Sequence, residues 1–162
     1  LLGGPQAGVL VGRGELVELC RRNPIARAVR ADKMTLAAME ATALAHARGS
    51  SNEIPAVAAI GATSEEIRAR AERIVAALPS GAATVEDGES VTGGGSLPGH
   101  AIASRVIAIT SAQPDRIAAA LRRHDPPVIA RVDGGRTLID LRTVARGDDE
   151  KILAAIGSAL SS

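Results

Sequence analysis

The sequence predicts an α/β sandwich with a largely antiparallel sheet over residues 55–162, preceded by a mainly helical segment over residues 1–48. Three observations support this prediction. Beyond residue 55 the apolar pattern follows the order helix, strand, strand, helix, hairpin, helix. The hairpin is indicated by two alternating segments on either side of Asp133-Gly134-Gly135. A polar turn at 49–55, which ends in Pro55, indicates the boundary between the two parts.

The first part begins with an apolar run at 7–12, whose flanking glycines favour a short buried strand. Residues 13–22 predict a helix, on which Cys20 is expected to be a small buried side chain. Asn23 and Pro24 then provide a helix start. No residue between them and Arg48 breaks a helix, so the pattern predicts one continuous linker helix about 37 Å long.

The second part contains a clear helix start at Thr63, because two glutamates follow it within three residues. Apolar spacing, glycines and prolines then set the remaining bounds. The predicted elements are a helix at about 63–78, strands at 82–86 and 102–110, a helix at 113–123, strands at 128–132 and 136–141, and a last helix that begins at Asp148.

Composition limits the possible functions. The chain has 162 residues and lacks Phe, Tyr and Trp, so any contact with nucleic acid must form without aromatic stacking. A single cysteine excludes an intramolecular disulfide and favours a reducing compartment, and with only three histidines a metal site is not expected. No apolar run approaches the length of a membrane span. The first residues, Leu-Leu-Gly-Gly-Pro, do not form a secretory signal and suggest a piece of a longer chain.

Basic residues concentrate between Arg21 and Lys33, where Asp32 is the one acidic residue. Arg27 and Arg30 are three residues apart and are therefore predicted to share a helix face, where two guanidinium groups could bind an oxyanion. A solvated helix face is the simpler alternative. A glycine-rich segment at 93–99 could approach a phosphate, although it matches neither the P-loop nor the dinucleotide-binding pattern, and a connection between two strands is the favoured interpretation. Asp133 and Asp140 are interpreted as turn and surface groups.

Five segments carry a resemblance to a known family, and they occur in the same order. They are L-L-G-G-P-Q-A-G at 1–8, N-P-I-A-R-A-V-R-A-D-K at 23–33, G-G-G-S-L-P-G at 93–99, D-P-P-V-I-A-R at 125–131 and L-I-D-L-R-T-V at 138–144. On these segments the chain resembles the C-terminal portion of the bacterial selenocysteine synthases, which are pyridoxal-phosphate enzymes.

The resemblance implies a fold-type-I enzyme that forms a cytoplasmic ring of dimers and converts seryl-tRNA(Sec) to selenocysteinyl-tRNA(Sec) with selenophosphate. Residues 1–48 would end the large domain that binds pyridoxal phosphate, and 55–162 would form the small domain. Arg27 and Arg30 would bind the selenium donor, and Gly3, Gly4 and Gln6 would lie near the cofactor. The family's Schiff-base lysine directly precedes the L-L-G-G-P-Q segment and is therefore expected just before Leu1. The fragment alone is expected to be inactive for that reason.

Two other functions stay open at this point. A related pyridoxal-phosphate lyase acting on a small amino acid could share the fold and the arginine pair. A truncated, non-catalytic interaction module is the other alternative. The residues that precede Leu1, and binding of transfer RNA by the full-length protein, would separate these possibilities.

Overall fold

The computed structural model describes residues 2–92 and 99–161. The chain divides into two compact units, residues 1–58 and residues 59–162. No helix of the described ranges has both the length and the apolar character that a membrane span requires.

The first unit is helical, and its helices are α1 (Gly14–Arg22), α2 (Ile25–Ala28), α3 (Lys33–Ala47) and the start of α4 (Pro55–Gly61), with a short 3-10 turn at Ser51–Glu53. The prediction of one helix from Pro24 to Arg48 is wrong, because the chain leaves helical geometry between α2 and α3. Asp32 has an extended backbone and caps α3 with its side chain. A carboxylate that bonds nearby amides favours a new helix start over a continuous helix.

Two predictions of burial in the first unit are also wrong. Residues 7–12 form no strand, and Val11 is 91% exposed. Cys20 is exposed as well, and α1, α2 and α3 bury no side chain completely. A strand needs a neighbouring strand to satisfy its backbone, and in the described part of this unit none is present.

The second unit has the predicted element order. Its elements are α5 (Ser64–Ala76), β1 (Ala83–Val91), β2 (Ala101–Ile109), α6 (Pro114–Arg123), β3 (Arg131–Asp133), β4 (Arg136–Asp140) and α7 (Asp149–Leu160), with 3-10 turns at Leu141–Thr143 and Arg146–Asp148. The predicted α/β sandwich is confirmed. β1 is longer than predicted because its pairing with β2 continues to Val91.

The four strands form one antiparallel sheet in the order β1-β2-β4-β3. The predicted hairpin is confirmed, and Asp133 pairs with Arg136 across its turn. Gly134 and Gly135 occupy the two turn positions with φ of +54° and +73°. Positive φ at both positions is the requirement of a type I′ turn, which matches the twist of the strands and accounts for the two glycines.

The core of the second unit lies between the sheet and its three helices. It is built from aliphatic side chains, since the chain has no aromatic residue. Thr63 and Glu66 form the predicted capping box at the start of α5, which satisfies two backbone N–H groups and sets the residue at which this helix begins. The largest fully buried aliphatic side chains of this core are Ile67, Ile107, Ile109, Leu121, Ile139, Leu141 and Ile156. Val106, Ala108 and Leu138 form a separate small buried cluster.

Two arginines are buried in the second unit. Arg70 is 8% exposed and Arg142 is 5% exposed. Asp140, the last residue of β4, is interpreted from the sequence as a surface group. In the structure it is half-buried, and its carboxylate accepts hydrogen bonds from the Ser104 hydroxyl and from the backbone N–H of Arg142. The interpretation is corrected accordingly, because the carboxylate belongs to an internal polar network.

Candidate anion-binding site

The two arginines predicted to bind an anion lie in the connection that joins α1 to α3. Arg27 is in the last turn of α2, and Arg30 follows that helix. The prediction that they share one helix face is therefore wrong. Asn23 starts α2 by accepting a hydrogen bond from the backbone N–H of Ile25 at 3.0 Å. The helix ends four residues later, where the N–H of Val29 bonds the carbonyl of Ile25 at 3.1 Å.

Asp32 is the acidic residue of this basic stretch, and its carboxylate is engaged elsewhere. It accepts hydrogen bonds from the backbone N–H groups of Met34 and Thr35 at 2.8 and 2.9 Å, and from the Thr35 hydroxyl at 2.8 Å. These bonds lower the pKa of Asp32, with the backbone of Thr35 as the largest cause. Its charge is directed to the N-terminus of α3, where a negative charge is favourable.

Two of the basic residues are paired. Arg21 and Arg22 both donate to the carboxylate of Glu18, at 2.6 and 2.8 Å. Their hydrogen bonds, that of Arg21 first, lower the pKa of Glu18 to about 2. Glu18 therefore remains a carboxylate at neutral pH and offsets one of the two positive charges that the basic stretch places on α1.

The cations that remain are Arg27, Arg30 and Lys33. All three are exposed, and the described residues supply no ion pair or hydrogen bond to their side chains. Lys33 is the first residue of α3, and it belongs to the basic stretch that the sequence predicts to attract anions, although no individual role is predicted for it. Exposed cations without acidic partners attract an anion, and guanidinium groups can bind an oxyanion with two parallel hydrogen bonds.

Gly3 and Gly4 lie against other parts of the first unit. A Cβ at Gly3 would approach the Cγ2 atom of Ile54 to 2.6 Å, and the φ of Gly3 is +82°. A Cβ at Gly4 would lie 2.6 Å from the hydroxyl of Thr42 on α3. The backbone of Leu2 is held by His46, whose Nε2 atom is 2.9 Å from the Leu2 carbonyl oxygen. The two glycines are therefore explained by close packing, and Gln6 is exposed.

The structure does not bring these two groups of residues together. Thr42 lies about 14 Å along α3 from Lys33 at 1.5 Å per residue, and within the described ranges no hydrogen bond or ion pair joins 2–6 to 27–33. The loop at 93–99, apart from Gly99, lies outside the described residues. Among residues 2–92 and 99–161, no three His, Cys, Asp or Glu side chains are grouped as metal ligands would be.

Comparison with known proteins identifies the family. The sequence profile of L-seryl-tRNA selenium transferase matches residues 1–145. The chain belongs to the L-seryl-tRNA selenium transferase family. An L-seryl-tRNA(Sec) selenium transferase of Moorella thermoacetica is 42% identical over 99% of this chain and 36% of its own length. Proteins of the same name from Geobacter sulfurreducens and Hyphomonas neptunium are 36% and 38% identical over 96% of the chain.

The selenium transferase match extends over both units. The chain spans only about a third of the length of these relatives, since it covers 36% of the first two proteins and 35% of the third. The resemblance drawn from the five short segments is thereby confirmed at the level of the family. The roles of Arg27, Arg30, Gly3, Gly4 and Gln6 stay predictions.

Proposed function

We propose that this chain is the C-terminal portion of an enzyme that converts seryl-tRNA(Sec) to selenocysteinyl-tRNA(Sec), with selenophosphate as selenium donor. The observation that carries the proposal is the match to proteins named L-seryl-tRNA(Sec) selenium transferase over 99% of this chain. The remaining two-thirds of such an enzyme would supply the other parts of the active site. The enzyme would act in the cytoplasm as a ring of dimers.

Residues 1–48 would complete a fold-type-I large domain, and 55–162 would form the small domain. The surface of the first unit supports this division. Its helices α1, α2 and α3 bury no side chain, and large apolar side chains are exposed throughout it. Apolar surface of that extent marks a face that another part of a protein covers. The exposed set comprises Leu2, Val9, Leu10, Val11, Leu16, Leu19, Ile25, Val29, Met34, Leu36 and Leu44.

The cofactor of the whole enzyme would be pyridoxal phosphate. When bound, this cofactor withdraws electrons from the amino acid that it holds and so assists loss of the seryl hydroxyl. The chain has two lysines, Lys33 and Lys151, and neither directly precedes the L-L-G-G-P-Q segment, where the resemblance places the Schiff-base lysine. The cofactor-binding lysine would come from the part of the enzyme that precedes Leu1. Gly3, Gly4 and Gln6 would then lie beside the cofactor.

Arg27 and Arg30 would bind selenophosphate. Both are exposed and both lack an acidic partner within the described residues. Asp32 and Glu18, the nearest acidic residues in the sequence, are engaged by α3 and by Arg21 and Arg22. A dianionic donor would therefore meet two guanidinium groups that have no competing carboxylate, and each would contribute a charge-assisted hydrogen bond.

The test is a chimera in which this chain replaces the matching segment of the Moorella thermoacetica relative. We expect the purified chimera to form selenocysteinyl-tRNA(Sec) from seryl-tRNA(Sec) and selenophosphate. Arg27→Ala and Arg30→Ala should each raise the selenophosphate concentration at half-maximal rate about ten- to a hundredfold, the effect of losing one charged hydrogen bond. Arg48→Ala, which removes an exposed arginine of the same unit, should leave that concentration unchanged.

The outcomes separate the two parts of the proposal. A folded chimera that binds the cofactor and transfer RNA but forms no product would contradict the function. An active chimera in which Arg27→Ala and Arg30→Ala behave like Arg48→Ala would leave the function standing and reject the donor site.

A further inference from the structure

Arg142 is a buried side chain of the second unit that donates hydrogen bonds to several separate groups. It follows β4, is 5% exposed, and donates hydrogen bonds to carbonyl groups of two separate segments. Its Nη1 atom lies 2.9 Å from the Ala59 oxygen and 2.7 Å from the Ala62 oxygen, and its Nη2 atom lies 2.6 Å from the Ala103 oxygen. A buried guanidinium is stable only when acceptors surround it, and here those acceptors are mainly backbone carbonyls.

The first segment that Arg142 holds is the end of α4. This helix runs from Pro55 to Gly61, so it begins in the first unit and ends in the second. Its last carbonyl groups lack partners within the helix, as in every α-helix. Arg142 satisfies two carbonyls at or just beyond this end and places a positive charge where the helix dipole is negative.

On its other side Arg142 is anchored to three strands. Ala103 belongs to β2, and Ser90 of β1 accepts a hydrogen bond from the Nε atom at 3.2 Å. Ser90 in turn donates to the carboxylate of Asp140 in β4, which also accepts from the backbone N–H of Arg142 at 2.9 Å. The end of α4 is thus tied through one side chain to the sheet of the second unit.

The segment before α4 is held differently. From Gly49 to Ile54 the backbone N–H groups bond only to carbonyls a few residues back in the chain, for example Glu53 to Ser50 at 3.0 Å and Ile54 to Ser51 at 3.0 Å. The described residues give the side chains of 51–53 no hydrogen bond or ion pair. Beyond these bonds, Ile54 and the start of α4 lie against Gly3, where a Cβ would be 2.6 Å from Ile54 and 3.3 Å from Val57. This part of the chain is therefore held by the first unit, whose helices α1, α2 and α3 bury no side chain, and it should open at a smaller free-energy cost than a segment tied to a core.

We propose that Arg142 is a positioning residue that couples the end of α4, residues 59–61, to the core of the second unit. The compact units divide after Ala58, inside α4, and Arg142 holds the part of the helix that follows this division. The proposal concerns the mechanics of the chain and does not depend on the proposed catalytic function.

The first test is native-state hydrogen exchange on the 162-residue chain in increasing denaturant. We expect the amides of Ala59, Ile60 and Gly61 to exchange through the same opening as the core amide of Ile107, with rates within about tenfold of it. The amides of Glu53 and Ile54 should exchange at least about a hundredfold faster. Exchange of the α4 amides at the rate of Glu53 and Ile54 would overturn the proposal without any substitution.

The second test compares Arg142→Lys with Arg70→Lys. Arg70 is the matched control, because it is also a buried arginine of the second unit and bonds carbonyls at 141–145, but none in α4. Relative to the exchange of Ile107 in the same variant, Arg142→Lys should accelerate the α4 amides about tenfold or more, and Arg70→Lys should not. Equal acceleration in the two variants, or none in Arg142→Lys, would show that Arg142 only stabilises the unit as a whole.

Discussion

The ion pair of Arg70 and Asp149 allows a prediction about which of the two residues contributes more to the free energy of unfolding. Arg70 lies on the inner face of α5 and approaches Asp149, the first residue of α7, to 2.6 Å. The same guanidinium donates to the carbonyl oxygens of Leu141 at 3.1 Å and Val144 at 3.0 Å. One side chain therefore joins α5 to α7 and to the connection after β4.

The two halves of the pair should differ in cost. Arg70→Met leaves a carboxylate and several buried carbonyls without their donor, and removal of one partner of a buried pair costs about 3–5 kcal/mol. Because the Asp149 side chain is 22% exposed, water can reach it after its partner is lost. We therefore expect Arg70→Met to lower the free energy of unfolding by an amount at the lower end of this range, about 3 kcal/mol. Asp149→Asn keeps an acceptor oxygen and leaves the carbonyl bonds of Arg70 in place. Loss of charge assistance and of the helix-dipole interaction should cost about 1–2 kcal/mol.

The assay is urea unfolding of the 162-residue chain, followed by far-ultraviolet circular dichroism. Lys151→Gln is the control, since it breaks the exposed pair with Asp148 on the same helix end and should cost less than about 0.5 kcal/mol. A free energy of unfolding that falls as much in Asp149→Asn as in Arg70→Met would refute the reasoning. The ion pair, and not the carbonyl bonds, would then be the main contribution of Arg70.

Three further predictions concern caps, close packing and separability. Thr63→Ala should destabilise α5 by about 1 kcal/mol. The pKa of Glu66 is lowered, first by its hydrogen bond from the Thr63 backbone, so the contribution of Glu66 should be complete above the ordinary carboxyl pKa and be lost as pH falls through the lowered pKa; thermal unfolding followed by circular dichroism at a series of pH values measures both effects. Gly4→Ala should destabilise the first unit by about 1–3 kcal/mol, because the added Cβ would lie 2.6 Å from the Thr42 hydroxyl on α3. Gly8→Ala is the control and should not destabilise the unit, since no atom lies within 4 Å of a Cβ at that position. Hydrogen exchange of the α3 amides measures the effect of both substitutions. Residues 55–162 should fold alone, and a disordered circular dichroism spectrum of that fragment would contradict the division.

The elements that sequence analysis located correctly are those with local causes. The capping box at Thr63 involves residues three apart, and the hairpin turn depends on two adjacent glycines. Each of these signals is complete within a few residues of sequence, so no knowledge of distant parts is needed. The hairpin pairing and the antiparallel character of the sheet were also predicted, whereas the strand order β1-β2-β4-β3 was not.

The buried arginines have partners far away in the sequence. Arg70 bonds groups at 141–149, and Arg142 bonds groups at 59–62 and at 90–103. A signal for Arg70 does exist, because it lies between Ile67 and Ile74 on the apolar face of α5. The position shows that the side chain is buried, but its acceptors depend on tertiary structure. No comparable periodicity surrounds Arg142, which lies in a 3-10 turn.

In the first unit, an apolar sequence pattern does not coincide with burial in the structure. The apolar run at 7–12 was interpreted as a buried strand, and in the structure Val9 and Leu10 are 60% and 73% exposed. Apolar periodicity indicates which side chains a protein buries, but it does not indicate which part of the protein covers them. Relatives about three times as long as this chain contain further sequence that could do so. If the proposed function is correct, the run at 7–12 should become protected from hydrogen exchange in the chimera, because a strand acquires its backbone partners only when its neighbours are present.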